Sequence, residues 1–143
     1  MVERVFPAAL EQLEPVQEFV RDQLAGYSCP RRVRFQLGVA VEEVFVNIAR
    51  HAYPEQGGQV LVSCEVGGSP PELTVCFSDS GQPFNPLEQP EADLTLPAEE
   101  RPIGGLGILM VKACVDRVEY AYREGRNMLT LRKCLVEHPD KGL

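Results

Sequence analysis

Two pairs of strand-like segments constrain the fold of this chain more than any other feature of its sequence. Residues 58–67 and 71–80 alternate in polarity, are rich in β-branched side chains and are separated by a short Gly/Ser/Pro turn. Residues 116–125 and 126–135 form a second pair, which turns at Gly125. Because strands joined by short turns pair antiparallel, each pair predicts a β-hairpin.

Helical spacing of apolar residues precedes each hairpin. Residues 10–24 predict an amphipathic helix despite Pro15. A second helix is expected to begin just after Pro30 and to stop before Pro54, because the residue preceding a proline is pushed out of helical geometry. The spacing at 106–113 predicts a third helix.

The order of these elements predicts the architecture. A strand-like stretch at 2–6 opens the chain, so the order is strand, helix, helix, two strands, long loop, helix, two strands. This order favours an α+β two-layer sandwich in which helices cover one face of a mixed, largely antiparallel sheet. The length suits a single domain over 1–143, with a polar tail at 136–143.

The charge and hydropathy of the chain disfavour several partners. A formal net charge of −7 lacks the basic stripe that nucleic acid or an anionic membrane surface requires. No apolar run approaches the roughly 20 residues of a membrane-spanning helix. The first residues, MVERVFP, have no signal-peptide character. A cytoplasmic protein is therefore expected.

The second helix carries polar residues within the apolar segment "VEEVFVNIARHAYP", residues 41–54. At about 100° per residue, Glu43 and Asn47 lie one turn apart on one flank of its apolar face. A buried carboxylate is kept only if it is paired or used. The two residues either line an internal cleft or satisfy Arg50 and backbone groups at a helix edge, and the helix alone leaves both interpretations open.

Two later segments have the chemistry of a nucleotide site. In "SDSGQPF", residues 78–84, Asp79 ends a strand and Gly81 follows, so a carboxylate could accept from an exocyclic amine beside a backbone open to close approach. In "IGGLGILMVK", residues 103–112, glycines at the start of a helix would receive phosphate. An ordinary Asp-Ser-Gly turn and a glycine hinge explain the same two patterns. The glycine spacing fits neither a P-loop nor a dinucleotide fold.

The three segments, in this order, resemble the N, G1 and G2 boxes of the Bergerat-type ATP-binding fold of the GHKL superfamily. Within that superfamily the chain is similar to bacterial anti-sigma factor serine/threonine kinases, in which "N-x-x-x-H-A-Y" and "R-P-x-G-G-L-G-I" patterns are common. The resemblance runs from the opening strand to about Cys134.

The resemblance implies roles for the polar residues of the first two boxes. Asn47 would coordinate Mg²⁺, and Glu43 would act as the general base. Asp79 would accept from the adenine N6 amine, with Gly81 close to the ring. Thr130, in the last strand, would lie near the adenine, although a threonine is unremarkable in any strand.

The resemblance also implies a phosphate site and a lid. The phosphates would be contacted by Gly104, Gly105, Leu106 and Gly107. Residues 82–103, which contain five prolines and five acidic residues, would form the ATP lid. Arg101 is the only basic residue of that segment and would stabilise the γ-phosphate.

The function implied by the resemblance is that of an ATP- and Mg²⁺-dependent protein serine/threonine kinase acting as an anti-sigma factor. Such a protein binds a sigma factor, phosphorylates a serine of an anti-anti-sigma (STAS-type) partner and forms a homodimer. The alternative is a nucleotide-gated binding module with weak or no kinase activity, which would not need Glu43 as a base. A detached histidine-kinase catalytic domain and a gyrase-type or MutL-type ATPase are disfavoured, because the sequence shows neither phosphoacceptor helices nor a transducer domain.

Overall fold

A computed structural model describes residues 1–53, 57–88 and 105–136. Five strands and three helices occupy these ranges, in the chain order β1 Val2–Pro7, α1 Leu13–Asp22, α2 Arg31–His51, β2 Gln59–Gly67, β3 Glu72–Asp79, α3 Gly105–Cys114, β4 Arg117–Arg123 and β5 Arg126–Cys134. Within the described ranges, none of the helices has the length and hydropathy needed to cross a membrane.

The strands form one sheet in the order β1-β2-β3-β5-β4, with β3 at its centre. Both predicted hairpins are confirmed, as the pairs β2–β3 and β4–β5. Glu124 and Gly125 join β4 to β5 with φ angles of 53° and 77°, which is the left-handed pair typical of a type I′ hairpin turn. The expected α+β two-layer fold is confirmed, and all four strand pairings are antiparallel.

The helix boundaries follow the prolines. The longest helix, α2, begins directly after Pro30 and ends at His51, as predicted. In contrast, α1 begins only at Leu13, after a 3-10 turn over Leu10–Gln12. Pro15 therefore lies in the first turn of α1, where a missing N–H costs no helical hydrogen bond.

The core lies between the helices and one face of the sheet. Burial alternates along β3 and β5, and the buried sheet residues pack against α1 and α2 in one cluster that includes Val16, Val41, Phe45, Val62, Phe77 and Leu131. Because β3 and β5 pair in register, residues directly opposite each other share a face. On the helix side, Phe77 pairs with Leu129 and Asp79 pairs with Asn127. The buried row therefore ends in two polar residues, at the edge of the core.

Candidate functional site

The flank of α2 that carries Glu43 and Asn47 meets the start of α3 at Glu43. Both residues are partly buried. A methyl group placed on Gly107 would lie 2.7 Å from Glu43 Oε2, so the carboxylate rests directly against the backbone of α3. Arg50 is exposed, and in the described part of the chain no hydrogen bond or ion pair joins it to Glu43. Among the described residues, Arg50 is therefore not the partner of Glu43, and the carboxylate lies between α2 and the start of α3.

The first turn of α3 offers backbone donors beside Glu43. Gly105 and Leu106 begin this ten-residue helix, of which Gly107 is the third residue. The first N–H groups of a helix have no intrahelical acceptor, and the helix dipole makes this end positive. A glycine at 107 lets the carboxylate of Glu43 approach this end of the helix closely. Gly104 lies outside the described residues.

Asp79 ends β3 as a buried carboxylate that is only 4% exposed. Its Oδ1 accepts hydrogen bonds from the Gly81 backbone N–H at 2.9 Å and from Asn127 Nδ2 at 3.0 Å. Hydrogen bonds to a charged acceptor contribute about 1.5–3 kcal/mol each, and they offset the cost of burying the group. Asp79 is therefore held in one orientation by donors from its own loop and from the neighbouring strand.

Asn127 also holds the backbone that follows this loop. Its Nδ2 donates to Gln82 O at 3.0 Å, and its Oδ1 accepts from the Phe84 N–H at 3.1 Å. The same Oδ1 accepts from the hydroxyl of Tyr120 on β4. Burial raises the pKa of Tyr120, and the charge of Asp79 raises it further, so this hydroxyl remains a donor at neutral pH.

The loop after Asp79 packs against the end of α2. A methyl group on Gly81 would lie 2.3 Å from Ala52 O, so only glycine allows this approach. The hydroxyl of Tyr53 accepts from the Ser80 N–H at 2.8 Å and donates to Gln59 O at 2.7 Å. The final residues of the first motif therefore contact the second motif directly.

Arg126 binds the residues on either side of Asp79 from the opposite face of the sheet. Its Nε donates to Ser78 Oγ at 2.7 Å, and its guanidinium also reaches Ser80 Oγ at 2.7 Å and Ser78 O at 3.1 Å. Arg126 and Asn127 are adjacent in β5 and point to opposite faces. Together they form hydrogen bonds to the end of β3 and the loop after it from both faces of the sheet.

The three sequence motifs thus meet along α2. The start of α3 lies at Glu43, and the loop after Asp79 lies at Ala52. Ala52 lies nine positions after Glu43, a span of roughly 14 Å along the helix axis. A carboxylate that accepts hydrogen bonds therefore lies at one end of the site, and a helix N-terminus beside a second carboxylate lies at the other.

The structure does not bring Thr130 to Asp79. Thr130 pairs with Cys76, on the face of the sheet that the helices do not cover, whereas Asp79 and Asn127 lie on the helix side. Side chains alternate along a strand, so residue 130 cannot share a face with residue 127. Asn127, and not Thr130, lies opposite Asp79.

Other predicted features lie partly or wholly outside the described residues. Arg101 is one of them, and the proposed lid at 82–103 is described only as far as residue 88. Of the polar tail at 136–143, only residue 136 is described.

Sequence reasoning missed Asn127. The alternation of β5 could have identified it, because Leu129 and Leu131 point into the core and residue 127 lies on the same face of the strand. A polar residue at an inward position close to a strand end indicates a partner, and here the partner is Asp79.

Metal binding by protein groups alone finds no support in the residues described. Among them, no group of three histidine, cysteine, aspartate or glutamate side chains could hold a metal ion. The side-chain oxygen of Asn47 is a hard ligand of the kind that Mg²⁺ accepts, but one such ligand needs others from outside the protein.

Comparisons with known proteins identify relatives of this chain and a shared fold. Two proteins named serine-protein kinase RsbW, from Bacillus thuringiensis (strain Al Hakam) and Bacillus cereus (strain 03BB102), are each 27% identical over 93 residues, or 64% of this chain. The match spans 58% of the length of these relatives. A crystal structure of the RsbU and RsbW domains of Rv1364c from Mycobacterium tuberculosis has the same fold, with a TM-score of 0.65 at 17% identity. That superposition covers 96% of this chain and 34% of the mycobacterial chain.

The sequence profile of the histidine kinase-like ATPase domain matches residues 6–133, from the end of β1 to the penultimate residue of β5. This range includes all three motifs that meet along α2. The chain therefore belongs to the family of histidine kinase-like ATPase domains.

Proposed function

We propose that this protein binds ATP with Mg²⁺ along α2 and transfers the γ-phosphoryl group to a serine or threonine of a partner protein. The observation that carries the proposal is the spacing of the two ends of the site. Gly81 contacts Ala52 and Gly107 contacts Glu43, and these two contacts lie roughly 14 Å apart along the helix axis, which is comparable to the length of an extended nucleoside triphosphate. The base would bind at Asp79 and the phosphates at α3.

The base end suits adenine. Asp79 is a hydrogen-bond acceptor at the edge of the core, and its carboxylate can accept a hydrogen bond from an exocyclic amine. The backbone at Gly81 has no side chain, so a flat ring could lie against it.

The phosphate end suits a polyphosphate with a divalent cation. Gly105, Leu106 and Gly107 would donate backbone N–H groups, and Gly104 would extend the same segment. Asn47 would supply the protein ligand to Mg²⁺, with phosphate oxygens and water completing the coordination. When bound, the ion neutralises charge on the phosphates. We extend the proposal to Arg101, which would stabilise the γ-phosphate from the lid.

Glu43 would act as the general base. It lies beside the N-terminus of α3, one turn before Asn47, and it has no ion-pair partner among the described residues. In the reaction, the substrate hydroxyl oxygen bonds to the γ-phosphorus, the bond to the bridging oxygen of ADP breaks, and the hydroxyl proton passes to Glu43.

The partners belong to the proposal and follow the relatives named as serine-protein kinases. A cytoplasmic anti-sigma factor would bind a sigma factor and phosphorylate a STAS-type anti-anti-sigma protein, and it would act as a homodimer. The resemblance to anti-sigma factor kinases and the 27% identity to proteins named RsbW support this assignment. The alternative of a nucleotide-gated binding module predicts ATP binding without transfer.

Phosphoryl transfer from labelled ATP to the cognate STAS-type protein, with and without Mg²⁺, tests the function. Glu43→Gln should bind ATP with near-normal affinity and lose transfer by about 10²-fold or more. Glu42→Gln is the matched control, because Glu42 is exposed on the same helix. Asn47→Ala should weaken binding of Mg²⁺-ATP.

The outcomes separate the alternatives. Transfer that survives in Glu43→Gln excludes this residue as the base. Tight ATP binding by the wild type, without transfer to any partner, favours the binding module. Absence of ATP binding in the wild type overturns the proposed function.

A further inference from the structure

Asn127 uses its whole hydrogen-bonding capacity within the protein. A side-chain amide has two N–H donors and two acceptor lone pairs. The donors of Asn127 reach Asp79 Oδ1 and Gln82 O, and its oxygen accepts from Phe84 N and the Tyr120 hydroxyl. The residue is also only 7% exposed. It therefore has no group left with which to bind a ligand directly.

We infer that Asn127 is a positioning residue that sets the preference of this site for a purine with a 6-amino group, acting through Asp79. The inference rests on the proposed function, in that Asp79 must face the purine base. Asn127 itself contacts no nucleotide.

The selectivity follows from which oxygen of Asp79 is engaged. In the described part of the chain, both donors to this carboxylate reach Oδ1. Oδ2 is left to accept from a ligand. A 6-amino purine presents a donor to this oxygen, whereas a 6-oxo purine presents a carbonyl oxygen, which the carboxylate repels.

Asn127 also links the base site to the segment that follows it. Through Gln82 O and Phe84 N it fixes the backbone of residues 82–84 to the same side chain that orients Asp79. A carboxylate without this support could rotate and would present either oxygen. Affinity for a 6-amino purine should then fall, while affinity for a 6-oxo purine stays level or rises.

Isothermal titration of the full chain with ATP and with inosine triphosphate, in the presence of Mg²⁺, measures this property. The two ligands differ only in the amino or oxo group at purine position 6 and the protonation of N1. We expect the wild type to prefer ATP. The measured ratio is the dissociation constant for inosine triphosphate divided by that for ATP. In Asn127→Ala this ratio should fall by about tenfold or more, which is the effect of one lost hydrogen bond to a charged group.

Arg126→Ala is the matched control. It removes three hydrogen bonds to Ser78 and Ser80, the residues on either side of Asp79, from the opposite face, and none of them involves Asp79. If the selectivity depended only on the rigidity of the loop, this variant would lower the ratio as well. We expect the ratio to stay within about twofold of the wild type.

A second variant fills the space that alanine leaves empty. Asn127→Leu keeps the approximate volume of the side chain but has no hydrogen-bonding group, so Asp79 loses this donor without a cavity being formed. Its ratio should fall as far as that of Asn127→Ala, and circular dichroism of both variants checks that they fold.

Each result has one meaning. A wild-type ratio that is retained in a folded Asn127 variant overturns the inference and leaves the proposed function intact. A ratio that falls equally in Arg126→Ala also overturns it, in favour of loop rigidity. A wild type that binds neither ligand refutes the proposed function itself.

Discussion

Replacing Gly81 with alanine tests how closely the loop after β3 packs on α2. The new Cβ would lie 2.3 Å from Ala52 O and 2.8 Å from Ala52 C. Ordinary van der Waals contact begins at 3.4 Å, so the loop would have to move by roughly 1 Å. The obstacle is mainly the backbone of Ala52, the residue that caps the C-terminal end of α2, and backbone cannot swing aside as a long side chain would.

The energetic cost has two parts. Overpacking of this kind costs about 1–3 kcal/mol. Displacing the loop also weakens the hydrogen bond from Gly81 N–H to Asp79 Oδ1, which contributes about 1.5–3 kcal/mol as a bond to a charged acceptor. We expect Gly81→Ala to lose about 3–5 kcal/mol of unfolding free energy and to melt roughly 10–15 °C lower.

Urea and thermal unfolding followed by circular dichroism measure this loss. Gly57→Ala is the control, because a Cβ at Gly57 would meet nothing within 4 Å, and its stability should change by less than about 0.5 kcal/mol. If Gly81→Ala unfolded at the same urea concentration as Gly57→Ala, the loop would not be held against α2 and the argument would fail.

Three further substitutions test other contacts. Tyr53→Phe removes the hydroxyl that accepts from the Ser80 N–H, so stability should fall by about 0.5–1.5 kcal/mol in urea unfolding, and an unchanged midpoint would contradict this contact. Arg31→Glu replaces an exposed cation in the first turn of α2, a turn without acidic residues, and should raise stability by about 0.3–1 kcal/mol at low salt through the helix dipole; a decrease would refute the electrostatic reasoning. The hydrogen bond from Arg132 lowers the pKa of Glu119, so this pair stabilises the fold at neutral pH and is lost as the pH falls through the lowered pKa. Thermal melts of Glu119→Gln should therefore show a smaller loss of stability on acidification than the wild type, and equal losses would show that the pair does not contribute.

Most helices and strands could be predicted from the sequence because the residues that mark their ends are local to them. Prolines at 30 and 54 bracket α2, and Gly125 marks the turn between β4 and β5. The start of α1 was harder to place, because a 3-10 turn and the first turn of an α-helix share the same apolar spacing.

Only part of the candidate site could be predicted from the sequence. Glu43 and Asn47 followed from helical spacing, since helical geometry fixes which side chains share a flank. The partner of Asp79 depended instead on the register between β3 and β5, which are separated by 46 residues of chain from one strand end to the next strand start. The resemblance implied Thr130, whereas the register and the alternation of β5 place Asn127 opposite Asp79.

Both ends of the site contact the same helix, α2. This restricts where residues could be inserted into the chain. One residue inserted into α2 between Glu43 and Ala52 would turn everything beyond it by about 100° and shift it by about 1.5 Å. The loop after β3 would then meet a different side of the helix, while the start of α3 would still meet the original one. Insertions at the turn between β4 and β5 would leave this relation untouched. The number of residues between the two contacts, more than their identity, therefore fixes the dimensions of the site.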